Sequence, residues 1–190
     1  MKTQIVPTQN IKSFMADMVE AYKDNYKARF GKIDDHCIDE QFIKDVCYKR
    51  RYLYIEVVED DKRLGGLMLN LTNNGKRAKL EFMFTKTEHQ NKGVATFLWK
   101  SLKEYAPVAK TWIVQHSYFD VKAIHFLVNK CGFKIIELIN SYNAPQFYRD
   151  YKANDPWTDG YLFFEKRVSK VASAQDSKSN PRNPVGVPRY

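Results

Sequence analysis

The fold class legible in the sequence is α/β of the mixed α+β kind: a central, mostly antiparallel seven-stranded sheet flanked by four helices. Three observations predict it. Alternating apolar runs on either side of Asn73-Asn74-Gly75 read as an antiparallel meander. A strand, a glycine turn, a helix and a second strand follow one another between residues 79 and 114, which requires a parallel pair. Four separate stretches place apolar residues at helical spacing.

Taken in order, residues 4–6 make a short first strand closed by Pro7. Ile11, Phe14, Met15, Met18, Val19, Tyr22 and Tyr26 then form the buried stripe of a helix capped by Thr8 or Asn10 and ended by Gly31. Phe42, Ile43, Val46 and Cys47 mark a second, shorter helix with Asp39 as its cap. Residues 52–58 are rich in β-branched and aromatic side chains, Asp60-Asp61-Lys62 turns the chain, and residues 64–71 return it. Gly65-Gly66 within that return strand predicts a bulge or a close backbone approach. In the third strand Leu80, Phe82 and Phe84 alternate with Lys79, Glu81 and Thr85, so one apolar face is expected.

Val94, Phe97, Leu98, Leu102 and Tyr105 continue as a helix that must stop before Pro107. Residues 112–114 give the parallel partner strand, joined by a right-handed crossover. Ile124, Leu127, Val128 and Cys131 form another helical face, with Asp120 as cap and Gly132 as terminator. Strands at 133–139 and 161–167 complete the seven, separated by a long loop at 143–160 that holds Pro145 and Pro156. One domain over residues 1–168 is expected, followed at 169–190 by a basic tail of Ser, Lys, Asn and Pro with too few apolar residues to pack.

Composition narrows the class. At 190 residues and 44% hydrophobic, the chain can bury one good core. The first ten residues lack a secretory pattern, and no apolar run approaches a membrane span, so a cytoplasmic protein with no membrane partner is expected. Cys37, Cys47 and Cys131 are widely spaced, in keeping with free thiols. His36, His89, His116 and His125 lack metal-site spacing, so no metal is expected and the histidines are read as structural or surface groups. The net charge of +9 suits a polyanion, a nucleic acid or coenzyme phosphates, and equally a lysine-rich solvated surface.

The most informative stretch is Gln90-Asn91-Lys92-Gly93-Val94-Ala95. A glycine turn from strand to helix leaves backbone amides at the helix start without partners, and the helix dipole adds positive potential, which together make an anion site. The stretch matches the pattern Gln/Arg-x-x-Gly-x-Gly/Ala, and the chain resembles the Gcn5-related N-acetyltransferase (GNAT) superfamily. Residues 123–133, ending Cys131-Gly132-Phe133, resemble a second signature of that family, an Asn-x-x-Ala helix ending in Gly-Phe. Here Asp120 or Val121 stands for the leading Asn, and Ala123 lies one residue further from the glycine.

The resemblance implies a sheet with one splayed parallel pair and acetyl-CoA as co-substrate, without a metal. Its pyrophosphate would be held by Gln90, Asn91, Lys92, Gly93, Val94, Ala95 and Thr96. The pantetheine arm and acetyl carbonyl would be bound by the backbone of a bulged strand, at Phe84 and Thr85. Glu81, sharing a face with Met83 and Thr85, is the candidate base that takes a proton from the attacking amine; its alternative is a carboxylate facing water or paired with Lys79. Many relatives protonate the thiolate from a tyrosine where this chain has Val128, so Tyr118, Tyr142, His125 or water must serve. The acceptor walls would hold Asp34, Asp35 and His36, then Tyr148, Asp150, Asp155, Trp157 and Asp159, which suit a cationic amine and equally a solvated loop. The expected activity is acetyl transfer to a primary amine of a small molecule or peptide. The alternatives are acetylation of aminoacyl-tRNA, which would make nucleic acid a partner, or a non-catalytic acyl-CoA-binding module. A homodimer would be in keeping with relatives.

Overall fold

The computed structural model describes residues 4–31, 52–118, 120–140, 142–143 and 160–168. The second predicted helix, the loop at 144–159 with its acceptor-wall residues, Asp34 to His36, Cys37, Cys47 and the tail at 169–190 lie outside the described residues. The elements run β1 (Gln4–Pro7), α1 (Ile11–Phe30), β2 (Leu53–Glu59), β3 (Lys62–Thr72), β4 (Arg77–Thr85), a 3-10 turn (Thr87–His89), α2 (Val94–Tyr105), β5 (Thr111–Ser117), α3 (Val121–His125), β6 (Lys134–Ile139) and β7 (Tyr161–Arg167). The seven strands form one sheet in the order β1-β2-β3-β4-β5-β7-β6. Every neighbouring pair is antiparallel except β4 and β5, which are parallel.

Local chemistry sets these boundaries. The Asn10 side chain accepts the Ser13 N–H at 2.9 Å and caps α1, and Gly31 ends the helix in the left-handed region, φ 77°, donating its N–H to Lys27 O. Asn73, Asn74 and Gly75 all have positive φ, and the Lys76 N–H closes their turn on Asn73 O at 3.0 Å. Asp120 caps α3 through the Ala123 N–H. Downstream the expected α-helix changes pitch. Phe126–Lys130 is a π-helical turn, with the Cys131 N–H bonded to the Phe126 carbonyl five residues back.

Two apolar layers sandwich the sheet. On one face α1 lays Phe14, Met15, Met18 and Ala21 against Tyr54, Met68 and Phe84. On the other, α2 and the α3 segment bring Val94, Leu98, Leu102, Leu127 and Cys131 onto Ile55, Leu67, Leu69, Leu80, Trp112 and Val114. The glycine pair gives room on both faces, Gly66 to Phe14 of α1 and Gly65 to the backbone of β4 and Val94 of α2. A Cβ on Gly66 would come within 2.3 Å of the Phe14 ring, and one on Gly65 within 2.6 Å of Phe84 O. Beside them β3 carries an extra residue, Leu64, since Val57 pairs with Gly65 and Val58 with Arg63.

The expectation of a single apolar face on β4 is corrected by a second bulge. Met68 pairs with Phe82 and Leu69 with Leu80, leaving Glu81 as the extra residue. An inserted residue reverses the alternation downstream of it. Leu80 therefore joins the α2 core, Phe82 and Phe84 pack toward α1, and Met83 returns to the α2 side.

Candidate active site

The parallel ladder between β4 and β5 is short. It runs from Arg77 opposite Thr111 to Leu80 opposite Val114. Beyond that point β4 stays paired with β3, through Met83 to Leu67, Phe84 to Gly66 and Thr85 to Gly65. β5 follows β7 instead, with Gln115, His116 and Ser117 opposite Phe163, Leu162 and Tyr161. The strands thus fork, and the fork opens at the Glu81 bulge, because a bulge bends and twists the strand that carries it. Between the prongs the main chain of β4 from Glu81 to Thr85 loses its partner on the β5 side.

The loop that follows leads to a helix mouth beside the fork. Asn91 and Gly93 both adopt positive φ, 60° and 85°. α2 begins at Val94, and its first intrahelical acceptor, Gly93 O, receives the Phe97 N–H at 2.9 Å. The amides of Val94, Ala95 and Thr96 have no carbonyl one turn earlier to bond, so they point out of the helix start. A Cβ built on Gly93 meets nothing within 4 Å, so the turn is open rather than plugged. α1 fixes the loop from the other side. Asp17 meets Lys86 Nζ at 3.2 Å, Asp24 accepts from Thr87 Oγ1 at 2.6 Å, and Asn25 accepts from Gln90 Nε2 at 3.1 Å. The Gln90 N–H is also used, by Thr87 O, so Gln90 braces the loop while residues 91–96 carry the open amides.

Glu81 does not share a face with Met83, contrary to unbroken alternation: Glu81 keeps the α1 side with Lys79, and the bulge moves Met83 to the α2 side. Its Oε2 lies 2.6 Å from Lys79 Nζ, and its Oε1 accepts from Asn70 Nδ2 at 3.4 Å. Only 10% of the side chain is exposed. The pairing with Lys79 is the alternative weighed above, and it places a shielded carboxylate at the opening of the fork.

Three further residues line this region. Tyr22 of α1 donates to the Met83 carbonyl on the splayed part of β4, at 3.5 Å. Burial, with the charge of Asp120 added, pushes its phenol up to about 12. His116 Nε2 lies 3.0 Å from Asp120 Oδ2, while Asp120 Oδ1 accepts the Ala123 N–H at 3.1 Å. Burial by itself would raise the Asp120 carboxyl, but the hydrogen bond and charge of His116, the Ala123 amide and Lys122 together hold it below the ordinary value. His116 is therefore no plain surface histidine. Its link to Asp120 is an i, i+4 spacing across a strand-to-helix turn, a signal that the sequence carries but that says nothing until the turn is known.

The other candidates stand further out. Tyr142 is 92% exposed, Tyr118 is 44% exposed, and His125 is an exposed residue of α3. Cys131 is buried, and burial pushes its thiol up to about 12, which removes it as a nucleophile. A polar hollow near the β2–β3 turn is lined by Ser13, Asp17, Glu56 and Arg63 and, from the loop after β4, by Lys86, Glu88 and His89; Arg63 bridges Asp17 and Glu56 there. Among the described residues no three His, Cys, Asp or Glu are grouped to hold a metal, and no helix is long and apolar enough to cross a membrane.

A mixed sheet forked between two parallel strands, with open amides at the helix mouth beside the fork, offers a gap and an anion-binding turn to a ligand that carries phosphate. The model of the acetyltransferase (GNAT) family matches residues 15–133, and the chain belongs to that family. It is an acetyl-CoA-dependent acetyltransferase. Its sequence is 23% identical over 176 residues to the uncharacterized protein YrkN of Bacillus subtilis (strain 168), covering 91% of this chain and 94% of that one. The fold is similar to the ribosomal-protein-S18-alanine N-acetyltransferase from Escherichia coli, with a TM-score of 0.63 at 12% identity, over 93% of this chain and all of that one. It is equally similar to a GNAT family acetyltransferase from Elizabethkingia anophelis with acetyl-CoA bound, with a TM-score of 0.63 at 12% identity, over 87% and 98% of the two chains.

Proposed function

We propose that this enzyme acetylates a primary amine of a small molecule or peptide by direct attack on acetyl-CoA. The observation that carries the reading is the fork of β4 and β5 beyond Leu80 and Val114, set beside the open mouth of α2. Its diphosphate lies on the amides of Asn91 to Thr96, with Lys92 adding a cation and Gln90 bracing the turn. The pantetheine arm enters the fork and meets the free main-chain edge of β4, where Phe84 and Thr85 lie. Donors on that edge polarise the acetyl carbonyl. Glu81 takes the proton from the ammonium, directly or through water.

The deciding experiment measures thiol release from acetyl-CoA across a panel of primary amines. Amine-dependent release supports the reading; release that no amine accelerates sinks it. The loop assignment has its own test. Gly93 holds φ 85°, a conformation that costs a residue with a Cβ roughly 1–2 kcal/mol. Gly93→Ala is expected to weaken CoA binding about tenfold in calorimetric titration, since that strain is relieved by moving the amides out of register. An unchanged affinity would detach the turn from the coenzyme.

One observation favours a second acceptor, the amine of a charged transfer RNA: the chain carries 31 basic against 22 acidic residues. RNA binding that weakens steeply with salt, together with acetylation of an aminoacyl-tRNA, would establish it.

A further inference from the structure

The sheet separates the reacting groups by face. Trp112 and Val114 of β5 point into the α2 core, and strand alternation carries His116 to that same face. Asp120, which holds His116, caps α3, whose continuation packs in the same layer. The mouth of α2 opens on this side as well. Glu81 is turned the other way, toward α1, with Lys79 and Asn70. A coenzyme entering from the α2 mouth therefore brings its sulfur toward His116, while an amine arriving on the α1 side meets Glu81.

We propose that His116 is a catalytic residue, the acid that protonates the departing thiolate, and that Asp120 is its positioning residue. The inference rests on the acetyl-transfer reading above. In the step, the amine nitrogen bonds to the carbonyl carbon and the carbon–sulfur bond breaks, its electron pair going to sulfur. His116 gives a proton to that sulfur. The proton lost by the amine goes to Glu81 and on to water, and water recharges the imidazole.

The geometry suits this role in three ways. Asp120 spends one oxygen on the helix cap and the other on His116 Nε2, so the ring is held by a carboxylate that is itself fixed, leaving Nδ1 to face a ligand. The pair lies at the end of β5 beyond Val114, the last residue of that strand opposite β4, and so on one prong of the fork. Tyr22, another group at the fork, is a poor donor, because a phenol at about 12 keeps its proton. Among the described residues, the charged and titratable groups that act on the pair are Lys122 from the first turn of α3 and Tyr22 from α1, and Tyr161 of β7 lies opposite Ser117, the next residue of β5.

The test compares wild type with His116→Gln, whose Nε2 can still donate to Asp120, using the best acceptor from the amine panel. The expected result is a fall in kcat of about tenfold at unchanged KM for acetyl-CoA, modest because a thiolate is already a fair leaving group. In wild type kcat declines as pH rises and the acid loses its proton; in His116→Gln that limb is lost. Asp120→Asn preserves a good helix cap, and it should displace that limb, because the carboxylate that the ring meets is gone. Independently of any acceptor, CoA added to wild type should shift the His116 ring resonances by NMR. A wild-type kcat and pH profile in His116→Gln, or ring resonances indifferent to bound CoA, would overturn the proposal. A wild-type protein that neither binds CoA nor transfers acetyl overturns the acetyl-transfer reading instead.

Discussion

Phe14→Ala is expected to destabilise the fold by about 3–5 kcal/mol, the cost of emptying a fully buried aromatic site. The Phe14 ring stands edge-on to Tyr54 at 5.6 Å and to Phe84 at 5.1 Å, and the Arg63 guanidinium lies 5.5 Å from its centroid. It sits in the notch left by Gly66, so few atoms can relax into the space it vacates. For a chain of this size the loss corresponds to a fall in melting temperature of roughly 10 °C or more. Gly66→Ala attacks the same contact from the other side, since its Cβ would lie 2.3 Å from the ring. Gly66→Ala should destabilise strongly on its own and much less in the Phe14→Ala background, where the added methyl meets a cavity. Additive losses across that double-mutant cycle would mean that Gly66 is needed for its backbone and not for the ring.

Which features could be read from the sequence follows from how local their causes are. The caps at Asn10 and Asp120, the glycine stops at Gly31 and Gly132, the Asn-Asn-Gly turn and the end of α2 before Pro107 are all decided within a few residues, and all lie where the sequence places them. The element order and the single parallel pair follow from those boundaries. The bulge at Glu81 is different. It is a property of two strands in register, and the run Leu80, Phe82, Phe84 looks like unbroken alternation until Leu69 and Met68 are set opposite it. That one inserted residue leaves Glu81 on the α1 face, moves Met83 to the other, and starts the fork. The meeting of Tyr22, His116 and Asp120 escaped for the same reason: nothing local shows that a helix near the N-terminus and a turn about a hundred residues later come together at one opening. The π-helical turn at Phe126–Lys130 has no distinguishing pattern in the sequence, because the apolar spacing at Ile124, Leu127, Val128 and Cys131 reads as an α-helix.

Glu81→Gln is expected to lower kcat with a saturating amine about a hundredfold, the usual scale for a lost base, while leaving CoA affinity unchanged. The carboxylate has the qualities that the task requires. It is nearly enclosed, it sits at the residue where β4 leaves β5, and its neighbours Lys79 and Asn70 engage one oxygen each and still leave lone pairs for a water or an amine. The rival account is that Glu81 exists to pair with Lys79 and hold the bulge. The two accounts diverge in what the amide does. Glutamine keeps the shape and the hydrogen bond to Asn70 but loses the charge that Lys79 meets, so a purely structural role predicts a lower melting temperature with turnover intact. A role in proton removal predicts the reverse, with the largest deficit at low pH, where more of the amine arrives as ammonium. Raising the pH should then recover part of the variant's rate, because the free amine no longer needs a base to attack. A deficit that stays constant across pH, or turnover equal to wild type, would return Glu81 to the structure and leave deprotonation to solvent.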